Sequence, residues 1–293
     1  MAVFGEINSF LDFCGRVKKW FGKNKTPATN DNPAKRFLKL FEAHGIHRNQ
    51  IPRYVSQKLS LTDVQDDKSL LKKLDQKIID DAADLFAVNR EWLECASPDI
   101  YITHDFYKKP KKFLAFIEVL LSKGSDLDGV VYTSATEKSP QREDTFILLE
   151  EDFSIGEDQV LTRYHICNNW HFNYGKSRAY LTACVAAAWK KDVFLHGRKV
   201  PHEFIAKYAE GQSLLSEDIR DHSPGQHWHP EDMALDPDKF LAGFREGHNK
   251  VSALETIIRV QSDDEQFTLN EMYSVLRGVP FSEKLKSLEQ SEE

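Results

Sequence analysis

Several features that mark membrane-spanning and secreted proteins are missing from this 293-residue sequence. No apolar run reaches the ~18 residues that a helix needs to cross a bilayer. The first residues carry Glu6 and Asp12 within their apolar stretch and lack a basic start, so we expect no secretory signal. The four cysteines lie far apart and form no CxxC pair, which predicts reduced thiols in a cytoplasmic protein.

Catalytic motifs are equally scarce. The HExxH and zinc-deaminase patterns are absent. Glu150 and Glu151 are neighbours in a predicted strand, so their side chains should point to opposite faces and cannot form a carboxylate pair. Gly175–Ser177 reads Gly-Lys-Ser, but Trp170 stands where a phosphate loop needs its first glycine. Cys184 lies in a predicted buried helix, where a thiol is inert. We therefore predict no enzyme activity and no bound cofactor.

Charge is spread unevenly along the chain, whose net charge is -7. Residues 1–60 hold eleven basic and four acidic residues, a net charge of +7, whereas the remainder holds 28 basic and 42 acidic residues, a net charge of -14. Because residues 1–60 are basic and the remainder is acidic, residues 1–60 are expected to bind DNA, RNA or a membrane surface. The alternative is a solvated basic face without a partner.

Composition and turn signals divide the chain into four segments. Residues 1–32 combine an amphipathic helix over 2–22 with a polar linker, and such a helix packs on its own protein, on a partner or on a membrane surface. Residues 33–97 are helical. Residues 98–212 mix strands and helices, and residues 213–293 form a helical extension. The predicted fold class is α+β, with a small antiparallel sheet and extra C-terminal helices over 236–247 and 267–278.

The helical segment has clear start signals. Asn32 followed by Pro33 begins one helix, and Gly45 ends it. Asn49 is predicted to cap a second helix. A third lies within residues 61–74. Asp75 and Asn89 are predicted to cap two further short helices that meet at a corner, with Trp92 and Leu93 turned inward.

These five helices resemble the Cro/cI-type (lambda-repressor-like) helix-turn-helix family over residues 33–95. The best match is the segment 78–94, which reads IIDDAADLFAVNREWLE. The resemblance implies a DNA-binding transcription regulator that acts as a homodimer. It implies a phosphate contact for Gln50 and a recognition helix within 61–74. That segment begins with three carboxylates, Asp63, Asp66 and Asp67, which DNA phosphates would repel.

This departure leaves two interpretations open. In the first, double-stranded DNA is bound by a neighbouring surface made of Arg48, Asn49, Gln50, Arg53, Tyr54, Gln57 and Lys58. In the second, the domain keeps the family's core without DNA binding and serves as a protein–protein interaction or scaffold protein.

The segment after residue 98 supplies a candidate ligand site. Strands are predicted at 129–135, 145–151 and 159–167, followed by a buried helix that Ser177 caps. A dense polar and aromatic cluster at the strand-to-helix junction suits a small anionic or aromatic ligand, so this domain would sense a ligand or form the dimer. Its residues are Tyr164, His165, Asn169, Trp170, His171, Tyr174, Lys176 and Arg178. The alternative is that Trp170 belongs to the core, together with Phe172.

Three histidines, His222, His227 and His229, are close enough in sequence to raise the question of a metal site. Their spacing matches no standard zinc pattern, and histidines are also common in exposed loops with proline and glycine. We therefore predict no metal site.

Overall fold

The computed structural model describes residues 31–55, 59–134, 144–155, 159–215, 219, 225–244, 248–269 and 281–292. The chain divides into two compact units, Met1–Asn32 and Pro33–Glu293, and only the second is described below. The predicted helix over 2–22 lies outside the described residues, as do Gln57, Lys58 and His222. Within the described ranges, no helix is long and apolar enough to cross a membrane.

The helical region, which we define as residues 33–97, contains short helices with well-formed starts. They are α1 (Pro33–Ala43), a 3-10 helix (Arg48–Arg53), α2 (Asp67–Lys73), α3 (Gln76–Phe86) and α4 (Arg90–Leu93). The two predicted caps are confirmed. The Asp75 side chain accepts a hydrogen bond from the Ile78 N–H, and the Asn89 side chain accepts one from the Glu91 N–H. Trp92 and Leu93 are buried, also as predicted.

The second predicted helix differs from expectation. It is a six-residue 3-10 helix capped by His47, whose ring accepts from the Asn49 N–H, so Asn49 is not the cap. Pro52 has no N–H to donate to a carbonyl one helical turn earlier, which disfavours an α-helix here. The third helix, α2, begins only after the cap Asp66. The helix-turn-helix arrangement itself remains an expectation.

A six-stranded mixed sheet forms the centre of the unit, in the order β1-β4-β3-β2-β5-β6. Its strands are β1 (Thr103–Asp105), β2 (Asp126–Thr133), β3 (Asp144–Ile155), β4 (Gln159–His171), β5 (Leu195–Lys199) and β6 (Gln226–Trp228). The predicted antiparallel arrangement holds for β2, β3 and β4. It is wrong for the whole sheet, because β1 pairs in parallel with β4 and β5 in parallel with β2. Both added strands are short and lack a run of β-branched or aromatic residues.

Two long helices on one face connect the parallel strands. Helix α5 (Pro110–Leu121) joins β1 to β2, and α6 (Gly175–Trp189) joins β4 to β5. Helix α6 is buried along nearly its whole length, as its apolar composition predicts. Ser177 does not cap it, contrary to prediction. Tyr174 is the N-cap residue, and Ser177 Oγ instead accepts from the His171 N–H at 2.8 Å.

The C-terminal part continues with α7 (His202–Tyr208), α8 (Asp232–Leu235), α9 (Pro237–Leu241), α10 (His248–Asp263), a second 3-10 helix (Glu265–Phe267) and α11 (Phe281–Glu292). The helix predicted over 236–247 is confirmed only as the short α9. The helix predicted over 267–278 lies mostly outside the described residues.

The two faces of the sheet bury different elements. One face carries Tyr132, Phe146 and Leu148, which share a core with the helical region. The other face packs on α5, α6 and residues from α8 to α11. The helical region and the sheet therefore share one core, and the four-segment division drawn from the sequence stays a prediction.

The segments around Tyr101 and Gly211, which are distant in sequence, contact each other at the shared core. The N–H groups of Ile100 and Tyr101 donate to the Gly211 carbonyl, and the Leu215 N–H donates to the buried Tyr101 hydroxyl at 3.1 Å. Gly211 has a φ of 70°, and a Cβ there would lie 2.8 Å from the Tyr101 carbonyl oxygen. Only glycine fits both the conformation and the space.

Candidate functional site

The residues of the predicted ligand cluster do not line one site. Side chains alternate along a strand, so Tyr164 and His165 lie on opposite faces of β4. Tyr164 packs in the core shared with the helical region, whereas His165 contacts Glu151 on the other face. Trp170 is 1% exposed and belongs to the core, as the alternative interpretation predicts; Phe172 is buried in the same core.

Arg178, the predicted ligand-binding cation, is buried in internal contacts. Its guanidinium donates to the carbonyls of Phe172, Phe240 and Ala242 at 2.7–2.8 Å. It also lies between two aromatic rings, 4.1 Å from the Phe172 centroid and 3.9 Å from that of Phe244. These contacts fix α9 and the residues after it to the start of α6.

The remaining members of the cluster are more accessible. Asn169, with a φ of 75°, lies where the pairing of β3 and β4 shifts register, and His171 Nδ1 lies 2.8 Å from Asp144 Oδ1. Tyr174 is 46% exposed, and Lys176 is exposed in the first turn of α6. The structure therefore leaves Tyr174 and Lys176 as the exposed members of the predicted set.

Tyr174 and Lys176 belong to a larger surface at one edge of the sheet. Strands β1 and β4 are parallel neighbours, so α5 and α6, which follow them, begin at the same edge. The Tyr107 ring, just before α5, meets the ring of Tyr180 in the second turn of α6 edge-on, which joins the two helix starts. We call this surface the basic edge and define it as Tyr107, Lys108, Lys109, Lys111, Lys112, Tyr174 and Lys176.

The basic edge is positively charged because nearby carboxylates neutralise only part of its lysine charge. Lys109 Nζ lies 3.4 Å from Asp105, and Lys111 Nζ lies 3.8 Å from Asp264. Lys112 and Lys176 are exposed and form no ion pair with any described residue. No side chain caps the N-terminus of α5 or α6. The first-turn N–H groups and the positive ends of the two helix dipoles therefore add to the positive electrostatic potential of the lysines.

Three tyrosines stiffen this edge. The Tyr107 ring meets the Tyr180 ring edge-on, with centroids 5.9 Å apart, and the Tyr180 hydroxyl accepts from Arg259 Nη2 at 3.2 Å. Burial raises the pKa of the Tyr107 hydroxyl, and its proximity to Tyr174 and Tyr180 raises it further. Tyr107 therefore stays neutral at physiological pH.

The predicted DNA-binding residues of the helical region are mostly engaged internally. Arg48 Nη2 pairs with Asp67 at 2.8 Å, and its Nε donates to the Val64 carbonyl. The others make local or distant bonds: Asn49 accepts from Gln65, Gln50 accepts from the His47 N–H, and the Tyr54 hydroxyl donates to Gln159. Arg53 is exposed.

The carboxylates of Asp63 and Asp66, which precede α2 in the sequence, are ionised at neutral pH. The hydrogen bonds of Ser60 lower the pKa of Asp63, and those of Ser69 lower the pKa of Asp66. Asp63 and Asp66 are therefore ionised at neutral pH next to the predicted DNA-binding residues, and their charges oppose phosphate binding.

Sequence reasoning missed a buried charged cluster around Glu151. This carboxylate is fully buried and accepts from His165 Nε2 at 2.8 Å, Ser125 Oγ at 3.0 Å and Arg163 Nη1 at 3.2 Å. Arg163 Nε also donates to the Leu85 carbonyl in the last turn of α3. The sequence does contain a signal for this burial. The residues before Glu150 read TFILL, and apolar side chains on both faces of a strand predict that both faces are buried, including the two glutamates that follow.

Burial alone would raise the pKa of Glu151. The hydrogen bond and charge of His165, followed by the charge of Arg163 and the Ser125 bond, outweigh it and lower that pKa. The nearby His104 ring, 6.4 Å from the His165 ring, has a lowered pKa because of its burial and then because of the His165 charge. The cluster is a structural ion-pair network with one half-exposed histidine beside it.

The described residues contain no group of three or more His, Cys, Asp or Glu side chains that could hold a metal ion. His227 contacts Arg198, and His229 Nδ1 lies 3.2 Å from Glu231. His222 lies outside the described residues.

Comparison with protein-family models, with curated proteins and with solved structures found no match for this chain. The resemblance over residues 33–95 therefore stays an expectation.

Proposed function

We propose that this protein binds nucleic acid through the basic edge. The observation that carries the proposal is the edge-on contact between the Tyr107 and Tyr180 rings, which brings the starts of α5 and α6 together. Five exposed lysines lie just before these helices or in their first turns. Phosphate groups bind well at such a surface, since both ammonium groups and uncapped first-turn amides are donors.

This proposal changes the location of the binding surface. The sequence favours the surface around Arg48 and Arg53, but Arg48 is held by Asp67 and faces ionised carboxylates. The wider expectation, a transcription regulator with a ligand-sensing or dimerisation domain, rests on the resemblance of the helical region and is not needed for binding at the basic edge.

The test is binding of fluorescent oligonucleotides of mixed sequence, measured by anisotropy at low and physiological salt. We expect affinity to fall with salt, because each phosphate neutralised releases counterions. The triple variant Lys108→Glu/Lys112→Glu/Lys176→Glu should bind at least about tenfold more weakly at low salt and show a shallower salt dependence.

A matched control changes the same net charge elsewhere. Lys39→Glu/Lys72→Glu/Lys123→Glu alters three exposed lysines outside the basic edge. It should keep most of the affinity. Equal losses in the two triple variants would show a non-specific charge effect, and absence of wild-type binding at low salt would refute the proposal. Arg53→Ala tests the surface of the helical region separately, and only a loss there would support the location that the sequence favours.

A second candidate function is self-association through the helical region. The sequence predicts a homodimer but places its interface elsewhere, in the second domain or at the N-terminal amphipathic helix. Leu61 and Leu71 are large apolar side chains exposed in this region, next to the charged Asp63 and Asp66. Contiguous exposed apolar patches mark contact surfaces, so this candidate requires Leu61 and Leu71 to contact the same partner. Sedimentation equilibrium should show a dimer that Leu61→Ser/Leu71→Ser dissociates. A wild-type monomer at all concentrations would exclude it.

A further inference from the structure

The tyrosines of the basic edge indicate which form of nucleic acid it binds. Tyr174 exposes 46% of its surface two residues before the exposed Lys176. The Lys108 ammonium lies 5.1 Å from the centroid of the neighbouring Tyr107 ring. An exposed ring with ammonium groups near it is suited to stacking on an unpaired base while lysines contact the adjoining phosphates.

The shape of the edge does not suit a duplex. Proteins that read a duplex lay a helix or a two-stranded ribbon along the major groove. Here α5 and α6 meet the edge with their first turns, end-on, and neither helix lies along it. In a duplex the bases are stacked on each other, so their faces are not available to a tyrosine ring.

We infer that the basic edge binds single-stranded nucleic acid, with Tyr174 stacking on a base and Lys112 and Lys176 contacting phosphates. This inference rests on the proposed function and specifies its ligand. Stacking uses the face that every base possesses, so binding should tolerate changes of sequence.

The experiment measures anisotropy of the full chain with single-stranded DNA, single-stranded RNA and duplex DNA of matched length and mixed sequence. Single strands should bind more tightly than the duplex. Tyr174→Ala should weaken single-strand binding about tenfold and leave duplex binding almost unchanged. Tyr174→Phe keeps the ring and should retain most of the affinity.

Phe194→Ala is the matched control, because Phe194 is exposed to a similar degree, 45%, and packs against Trp189 elsewhere on the molecule. It should bind like the wild type. Circular dichroism melting of each variant checks that the fold is retained. Equal affinity for DNA and RNA strands would support recognition by stacking, and so would a preference for one of them that Tyr174→Ala reduces.

The outcomes separate this inference from the proposed function. If the lysine triple variant loses binding but Tyr174→Ala does not, or if the duplex binds more tightly than single strands, the single-strand inference is overturned and the basic edge stands. If the wild type binds heparin fragments as tightly as single strands and Tyr174→Ala changes neither, stacking is also overturned. No binding to any nucleic acid at low salt refutes both.

Discussion

Two buried charged side chains each hold a peripheral region in place, Arg178 by joining α9 to the start of α6 and Glu151 by joining α3 to the sheet through Arg163, but they do so with different chemistry. Arg178 donates to carbonyl oxygens and lies between Phe172 and Phe244, and its charge does not change at any ordinary pH. Glu151 accepts from His165 and its neighbours, and it can be protonated. One attachment is therefore independent of pH, and the other depends on it.

The Glu151 cluster also stabilises a helix end. Arg163 reaches from Glu151 to the Leu85 carbonyl at the C-terminal end of α3, where a cation interacts favourably with the helix dipole. The carboxylate holds the guanidinium in place, so loss of Glu151 would affect the contact between α3 and β4 as well as the pair itself.

The largest effect should come from Arg178→Met. This change leaves the buried carbonyls of Phe172 and Phe240 and the partly buried carbonyl of Ala242 without their donor, and we expect a loss of about 4 kcal/mol in the free energy of unfolding. Urea denaturation at pH 7 measures it. Arg53→Met, at an exposed arginine, should change stability by less than about 0.5 kcal/mol. A similar small value for Arg178→Met would show that these bonds are replaced by water.

Glu151→Leu should have the next largest effect, about 3 kcal/mol, because it leaves Arg163 and His165 beside a buried site without their acceptor. The measurement is again urea denaturation at pH 7, with Glu42→Leu as an exposed control. If Glu151→Leu were neutral or stabilising, the cluster would be replaceable by apolar packing, as some buried ion pairs are.

Acidification should distinguish the two attachments. The pKa of Glu151 is lower in the folded protein than in the unfolded chain. Its contribution to the free energy of unfolding is therefore complete above the unfolded pKa of about 4.3. That contribution is lost as the pH falls through the folded pKa. The destabilisation by Glu151→Leu should therefore shrink at low pH. The Arg178→Met penalty should stay constant, and a parallel decrease in both would contradict the comparison.

The smallest effect concerns His44, which packs on Phe86 with ring centroids 4.2 Å apart. Burial lowers the pKa of His44, so the unfolded chain binds a proton more readily and stability falls as the pH drops below the unfolded value of about 6.5. His44→Phe should flatten the decrease in melting temperature between pH 7 and 5.5, with His104 retaining part of it. His202→Phe, at an exposed position, should leave the slope unchanged.

Local signals in the sequence predict local structure well. The caps Asp75 and Asn89 and the three antiparallel strands could be located because each depends on neighbouring residues. The parallel strands could not be predicted, since Thr103 pairs with Ile166 through a connection that includes a helix and two other strands.

The candidate site shows the same limit. Tyr174 and Lys176 were recognisable at a strand-to-helix junction, but Tyr107 and the lysines of α5 become part of the site only because β1 lies beside β4. Arg178 and Trp170 looked like ligand contacts because their residue types are common in sites. Only the packing around α6 shows that they are internal.

The contact between Tyr101 and Leu215, residues 114 positions apart, has a consequence for synthesis. A nascent chain exposes the helical region first, yet the sheet strands and the segment around Gly211 that cover its apolar side leave the ribosome much later. During this interval the His44 ring lacks Tyr164 and the Leu85 carbonyl lacks Arg163, and contacts this distant in sequence form slowly. The apolar side of the helical region should therefore stay partly uncovered until translation has passed residue 215.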